Sequence, residues 1–464
     1  MSSKKISEVL ADFTIKANYE KIPATAIKHA KLILLDAIGA MIGTRDLDSS
    51  RIASEVALEM GGPEESSIIG HKRKVAISNA AFANAIQSYS CDSIDDHNES
   101  NAHPSAATIP VSLAIGENLS RTGKELIEAI AVGNEVVCRT GAAFLGKMYY
   151  QGFHPTSTCG TFGAVISASK LMKLNKEQII NAQGIAGSMV AGLMAWNSEG
   201  SPTKRLQAGH PAMCGIIAAK MAQKGFIGPS DIYESEYGFL NSYSYQRMHD
   251  ANLIIDGLGE EWEFATSSIK AYPCCRYSGG HIDACLELYK KYEINPDKIK
   301  KILIRSSNYT MKLLAEPRKR EPQGVVDMQF SMFYQAAMAL VRGKMGIEEF
   351  QIGCLDDPLV RNLMKVIDVV EDPEFERRYP DQYSCSVTLT LDDGRELTAV
   401  IDDPKGDKRN PMTFDDVVKK FYNLISPVNI KNEDANRIIE GVTKDLDNLK
   451  NIADLIKLIN ITYK

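Results

Sequence analysis

The sequence lacks three features that would each have narrowed its function at once. It has no long apolar run: the longest, Ile185–Trp196, is well short of the roughly 20 residues that a membrane-crossing helix needs. It has no excess of positive charge. Lys and Arg total 53 against 59 Asp and Glu, a formal net charge of −6, so neither nucleic acid nor an anionic membrane surface is an expected partner. It has no cysteine pattern. Nine cysteines are scattered without a CxxC pair, and no spacing matches a zinc site or an iron–sulfur ligand set. An odd, scattered set of thiols suits a reducing compartment, so a cytoplasmic location is expected. The opening MSSKKISEVLADF is charged and amphipathic and reads as a first helix rather than a secretory leader. Hydrophobic residues at 44% and charged residues at 24% describe an ordinary globular chain of two or three domains.

What the chain does have is three histidines directly followed by proline: His103-Pro104, His154-Pro155 and His210-Pro211. Proline is favoured at the first position of a helix, and each pair precedes a run rich in Ala, Gly, Ser and apolar residues. The pattern predicts three imidazoles at three helix N-termini, where unpaired N–H groups and the positive dipole end attract anions. The same field disfavours imidazolium, leaving a neutral base. Neutral bases beside anion sites point to proton chemistry on a carboxylate.

Periodicity predicts helices through most of the first 260 residues, near 76–90, 104–117, 124–145, 158–173, 176–195 and 211–224. Small residues dominate them, which predicts close helix packing. Near Lys270 the character changes. Strands are expected at 298–307 and 383–391, the latter turning at Asp392-Asp393-Gly394 into 396–401, with helices near 281–292 and 328–343. Helix returns after residue 408. The expected fold is mainly α: a large discontinuous helical domain, 1–267 plus 408–464, with a smaller α+β domain, 268–407, inserted.

Four stretches could carry chemistry. CDSIDDHNESNAHPS (91–105) packs Asp92, Asp95, Asp96, His97, Glu99 and His103 together. It reads as a metal-like cluster, a solvated acidic loop, or a catalytic loop whose aspartates orient histidines. GFHPTSTCGTFG (152–163) suits a backbone that approaches a ligand closely. GSPTKRLQAG (200–209) offers Lys204 and Arg205. IKAYPCCRYSGGH (269–281) places Lys270, Cys275, Arg276 and His281 at the inferred domain boundary, a usual place for ligand sites. Cys275 reads more simply as a buried thiol than as a nucleophile.

At these residues the sequence resembles the MmgE/PrpD family, which includes 2-methylcitrate dehydratase, cis-aconitate decarboxylase and iminodisuccinate epimerase. The resemblance runs from LILLDAIGAMIGT (32–44) through DD…HPSAATIP (95–110), FHPTSTCGTFGA (153–164), TKRLQAG (203–209), IKAYPCCR (269–276) and QFSMFY (329–334) to DDPKGDKRNP (402–411). It implies a helical domain with a smaller lid, a cleft between them, a homodimer, and catalysis without metal or organic cofactor. The implied catalytic residues are Asp95, Asp96, His103, His154, Lys204, Lys270 and Tyr334, with His97, Cys275 and Arg276 touching substrate. His210 falls outside the family pattern. Two departures weigh against the decarboxylase branch: the first aspartate is displaced to Asp92, with His97 in place of a small residue, and Cys275 stands where that branch looks like His.

The expected reaction is removal of water from a hydroxy di- or tricarboxylic acid, 2-methylcitrate being the leading candidate. His103 or His154 takes the proton beside a carboxylate. The other imidazole, or Tyr334, protonates the leaving hydroxyl, and Lys204 and Lys270 hold carboxylates. Decarboxylation of the cis-aconitate type and epimerisation beside a carboxylate are the alternatives on the same scaffold. A helical carboxylate-binding protein without turnover is the alternative of a different class.

Overall fold

The computed structural model describes residues 4–379 and 381–461. Helix accounts for 60% of it and strand for 8%, the mainly α architecture expected. Hydrophobic side chains gather into two cores. The first is built from helices of residues 6–223 and from the returning helices Phe414–Ile425, Asn432–Thr443 and Ile452–Ile461. The second lies within residues 274–401 and also takes in Trp196.

The small residues act as the sequence predicts. Helices Ile77–Tyr89, Ser105–Asn118, Gly123–Ala142, Pro155–Leu171 and Thr203–Gln223 pack on one another. Gly215 is so close to Pro155–Leu171 that a Cβ there would lie 2.5 Å from the Cβ of Ala164. Helix Gly123–Ala142 starts at a full capping box, Thr122 with Glu125, which satisfies two orphan backbone donors.

The second core rests on a four-stranded sheet in the order Ile367–Glu371, Ile299–Ser306, Cys385–Leu391, Glu396–Ile401. The first pair is parallel and the other two antiparallel. Helix Gly279–Tyr292 packs on the last two strands and on helix Met332–Arg342. Three strands fall within a few residues of their expected places. Ile367–Glu371 was not expected: its register gives one buried residue, Ile367, and charged Asp368 and Glu371, so neither alternation nor an apolar run marks it.

Two helix expectations are corrected. The helix expected over 176–195 ends at Gly187. His210 and Pro211 lie inside helix Thr203–Gln223, not at its start. Pro211 removes the backbone bond to the Gln207 carbonyl, but the helix continues with the proline ring against Gly160 of the neighbouring helix. His210 donates through Nε2 to the Met189 carbonyl at 3.0 Å and stays away from the other two histidines' cavity.

Candidate active site

Two His-Pro pairs do open helices. His154 is the N-cap of Pro155–Leu171, and His103 precedes Pro104, which leads into Ser105–Asn118. Their rings come within 6.5 Å, centroid to centroid, and both are buried. Each is oriented through Nδ1. His103 Nδ1 lies 2.8 Å from the Asp95 carbonyl, which can only accept, so Nδ1 carries the proton. His154 Nδ1 lies 2.6 Å from Gln207 Oε1, and Gln207 Nε2 donates to the Leu193 carbonyl at 2.7 Å. That second bond fixes the amide, so His154 Nδ1 is also the donor. Both rings are left with Nε2 as an acceptor. Burial, then Lys270 and Lys204, hold His103 well below its ordinary 6.5. Burial and Lys204 push His154 down to about 3. The imidazoles are neutral, as the helix-terminus argument expected, but burial and lysine charge are the causes.

Asp92 ties the lysines together. It is fully buried with φ +58°, a left-handed conformation that Asp tolerates better than most residues. Lys204 Nζ lies 2.8 Å from its Oδ2 and Lys270 Nζ 2.8 Å from its Oδ1, with Arg205 at 3.8 Å. Burial would raise the Asp92 carboxyl; Lys204, Lys270 and Arg205 reverse this and hold it well below the usual carboxylate range. Burial pushes Lys204 down to about 7, Asp92 opposing. Its Nζ sits 4.3 Å from the ring centre of Tyr89, 5.3 Å from Phe330 and 5.5 Å from Trp196, a cation enclosed by aromatic faces.

These groups border a small cavity of about 40 Å³. Asp92, Asp96, His103, His154, Lys204 and Arg276 form its polar side; Tyr149, Met194, Trp196, Tyr277, Tyr309, Leu313 and Phe330 form the rest, with Cys275. Lining residues come from segments 92–204 and 275–330. Asp96 is anchored by a backbone bridge to Ser268 and approaches His103 Nδ1 at 3.4 Å. Arg276 is paired with Asp407. Burial pushes the Cys275 thiol up to about 12, so it is a neutral thiol and not a nucleophile.

Four expected site residues are placed otherwise. Lys270 stands behind Asp92, also bonded to the Cys274 carbonyl at 3.1 Å, and reaches the cavity only through that carboxylate. Asp95 caps the next helix, accepting from the Ser105 backbone N–H at 3.2 Å and from the Ser105 hydroxyl; its part in the site is the carbonyl under His103. His97 accepts the Ser100 backbone N–H on Nδ1 at 3.3 Å, so Nε2 faces Glu99 at 3.4 Å and Glu263 at 3.7 Å, away from the cavity. Tyr334 is buried in the second core, where its hydroxyl donates to the Glu349 carbonyl. Its helix register turns it from the cleft. The carboxylates of 91–105 thus disperse to separate partners and do not converge as a cluster. Asp92, Gln207, Tyr149 and Trp196 were not among the expected site residues, although Asp92 stood in the acidic stretch and Gln207 in the stretch 200–209.

Comparison with known proteins joins this geometry to a family. Residues 8–251 match the MmgE/PrpD N-terminal domain and residues 272–445 the MmgE/PrpD C-terminal domain. The chain belongs to the MmgE/PrpD family. It is 26% identical to a cis-aconitate decarboxylase-like protein of Aspergillus oryzae, over 98% of this chain and 97% of that protein. It is 26% identical to cis-aconitate decarboxylase of Homo sapiens, over 99% of this chain and 95% of that one. Its similarity to 2-methylcitrate dehydratase of Escherichia coli is 22% and covers 50% of this chain and 49% of that enzyme. Proteins bearing the decarboxylase name thus match the chain over nearly its whole length, and the dehydratase over half of it.

Proposed function

We propose that this MmgE/PrpD protein is a lyase acting at the carbon beside a carboxylate of a small di- or tricarboxylic acid, with its own side chains moving the protons. The observation that carries the reading is two neutral imidazoles, each with Nε2 available, lining one cavity with the Lys204 ammonium. A substrate carboxylate beside Lys204 and Arg276 receives the charge that builds when His103 or His154 takes the neighbouring proton. Fixed donors in a drained cleft stabilise that charge better than water does.

Because both imidazoles rest neutral, a standing imidazolium cannot be the acid, and Tyr334 is out of reach. The imidazolium formed by proton abstraction then gives its proton to the leaving hydroxide, which departs as water, or Lys204 does. That is dehydration of a hydroxy acid such as 2-methylcitrate. A second reading is decarboxylation of the cis-aconitate type, favoured by the full-length relatives that carry that name. There the carbon–carbon bond breaks beside the apolar wall, its electron pair passes to the carbon conjugated with the remaining carboxylate, and Lys204 protonates it. The smaller unit would act as a lid and the protein as a homodimer, which sedimentation equilibrium tests.

The deciding experiment is a ¹H-NMR screen of di- and tricarboxylic acids in D₂O with excess chelator. New olefinic signals mean dehydration, released carbon dioxide means decarboxylation, and deuterium uptake without net change means epimerisation. Carboxylate binding with none of these would replace the lyase reading with that of a binding protein.

A further inference from the structure

Lys420 belongs to the returning helix Phe414–Ile425, over three hundred positions from the histidine loop, yet its ammonium is buried beneath that loop. Nζ lies 2.6 Å from Oδ1 of the buried Asp36, on helix Ala24–Thr44, and 2.6 Å from the carbonyl oxygen of Ser93. The two helices approach unusually closely: a Cβ on Gly43 would lie 1.8 Å from the Leu424 carbonyl oxygen. This fixes the depth from which Lys420 reaches up. Ser93 follows Asp92, whose left-handed backbone persists only because its surroundings hold it.

We infer that Lys420, held by Asp36, is a positioning residue: by anchoring the Ser93 carbonyl it sets the Asp92 carboxylate between Lys204 and Lys270. The inference rests on the lyase reading for its kinetic consequence. An ion pair between two helices needs only Asp36 and Lys420. The further bond to Ser93 ties that pair to the loop that carries Asp92, and both charges are buried at a desolvation cost that an apolar pair would avoid. The course of the chain then has a purpose at the site, since the segment after the second core returns to support the loop from below.

The test uses the full chain and removes both charges together, so that no orphan ion remains. In the Lys420→Met/Asp36→Asn double variant, kcat on whichever of cis-aconitate or 2-methylcitrate the parent turns over should fall about 10²-fold, the scale of a 1 Å misplacement, with KM nearly unchanged. Lys420→Arg should restore most of the loss, and a crystal structure of the double variant should show Asp92 displaced from the lysines. Parent-like kcat, or Asp92 unmoved, overturns the inference. Lys420→Gln/Asp36→Asn keeps a donor without the charge and serves if the Met pair does not fold. Its amide is shorter than the lysine stem, so Asp92 should still shift and kcat should fall; parent-like kcat, or loss of kcat with Asp92 in place, overturns the inference. A parent that turns over neither acid would sink the lyase reading, while the Asp92 position in the variants would still decide the positioning role.

Discussion

Lys204 is the charge in the cleft whose behaviour is easiest to read. Burial brings it to about 7, so near neutrality a rise in pH removes the ammonium that a carboxylate needs. The alkaline limb of kcat/KM for the free enzyme is therefore expected near pH 7. Asp92→Asn removes the anion that opposes burial, so the limb should move to lower pH; a limb that stays put would exclude Lys204 as its source. His103→Ala and His154→Ala should each lower turnover at least about 10²-fold with the melting temperature nearly kept, and parent-like turnover in either would remove that imidazole from the mechanism. Away from the cleft, His281 donates to Gln335 at 2.9 Å, and burial pushes it down to about 4. Below its unfolded value of about 6.5 the unfolded chain takes up a proton that the folded chain refuses. Its contribution is thus intact above 6.5 and is lost as pH falls towards 4. Urea titrations of His281→Gln should show a stability–pH slope in that window shallower by about 1.4 kcal/mol per pH unit. At this scale the sequence showed which residue types meet but not which carboxylate. Four acids stand within eight residues of one another (92–99), and the φ of +58° at Asp92, together with the Ser105 cap on Asp95, decides which of them turns inward. Neither can be read from spacing.

Helix starts were legible where local chemistry alone governs them. Pro155 after His154 works as the first-position rule requires. The same rule failed at His210-Pro211, because the tertiary packing of Thr203–Gln223 outweighs the one backbone bond that a proline removes. Its true start lies eight residues earlier, at Lys204's turn, and this is what delivers Lys204 to the cavity. Close helix approach, foreseen from the small residues, can be tested at one atom. Gly43→Ala would drive a methyl into the Leu424 carbonyl, where backbone rather than a flexible side chain must yield. Overpacking of that kind costs about 1–3 kcal/mol. Denaturant unfolding should show a loss in that range or above, and unchanged stability would mean that the helices Ala24–Thr44 and Phe414–Ile425 are not so closely apposed.

The two cores meet around the site, and this is a property of the whole molecule that no single stretch of sequence displays. Gln329 of the second core donates to the Cys91 carbonyl at 2.8 Å and to the Pro273 carbonyl at 3.0 Å. Trp196 leaves the first core's run of helices to pack in the second. Tyrosines close the other side: Tyr149 and Tyr277 both donate to Asn101, and Tyr309 stacks on Tyr379 with ring centres 5.1 Å apart. An acid bound in this cavity touches residues from the segments that build both cores, so it should stabilise both. At a free concentration one hundred times Kd, binding adds about 2.7 kcal/mol to every opening that destroys the site. Where exchange proceeds through such openings, the slowest amides of helix Pro155–Leu171 and of strand Ile299–Ser306 should then exchange about 10²-fold more slowly together. Protection confined to the helix would mean that the second core opens without disturbing the ligand. The aromatic wall contributed by Tyr277, Tyr309 and Phe330 would then be a cover over the site, not part of its binding surface.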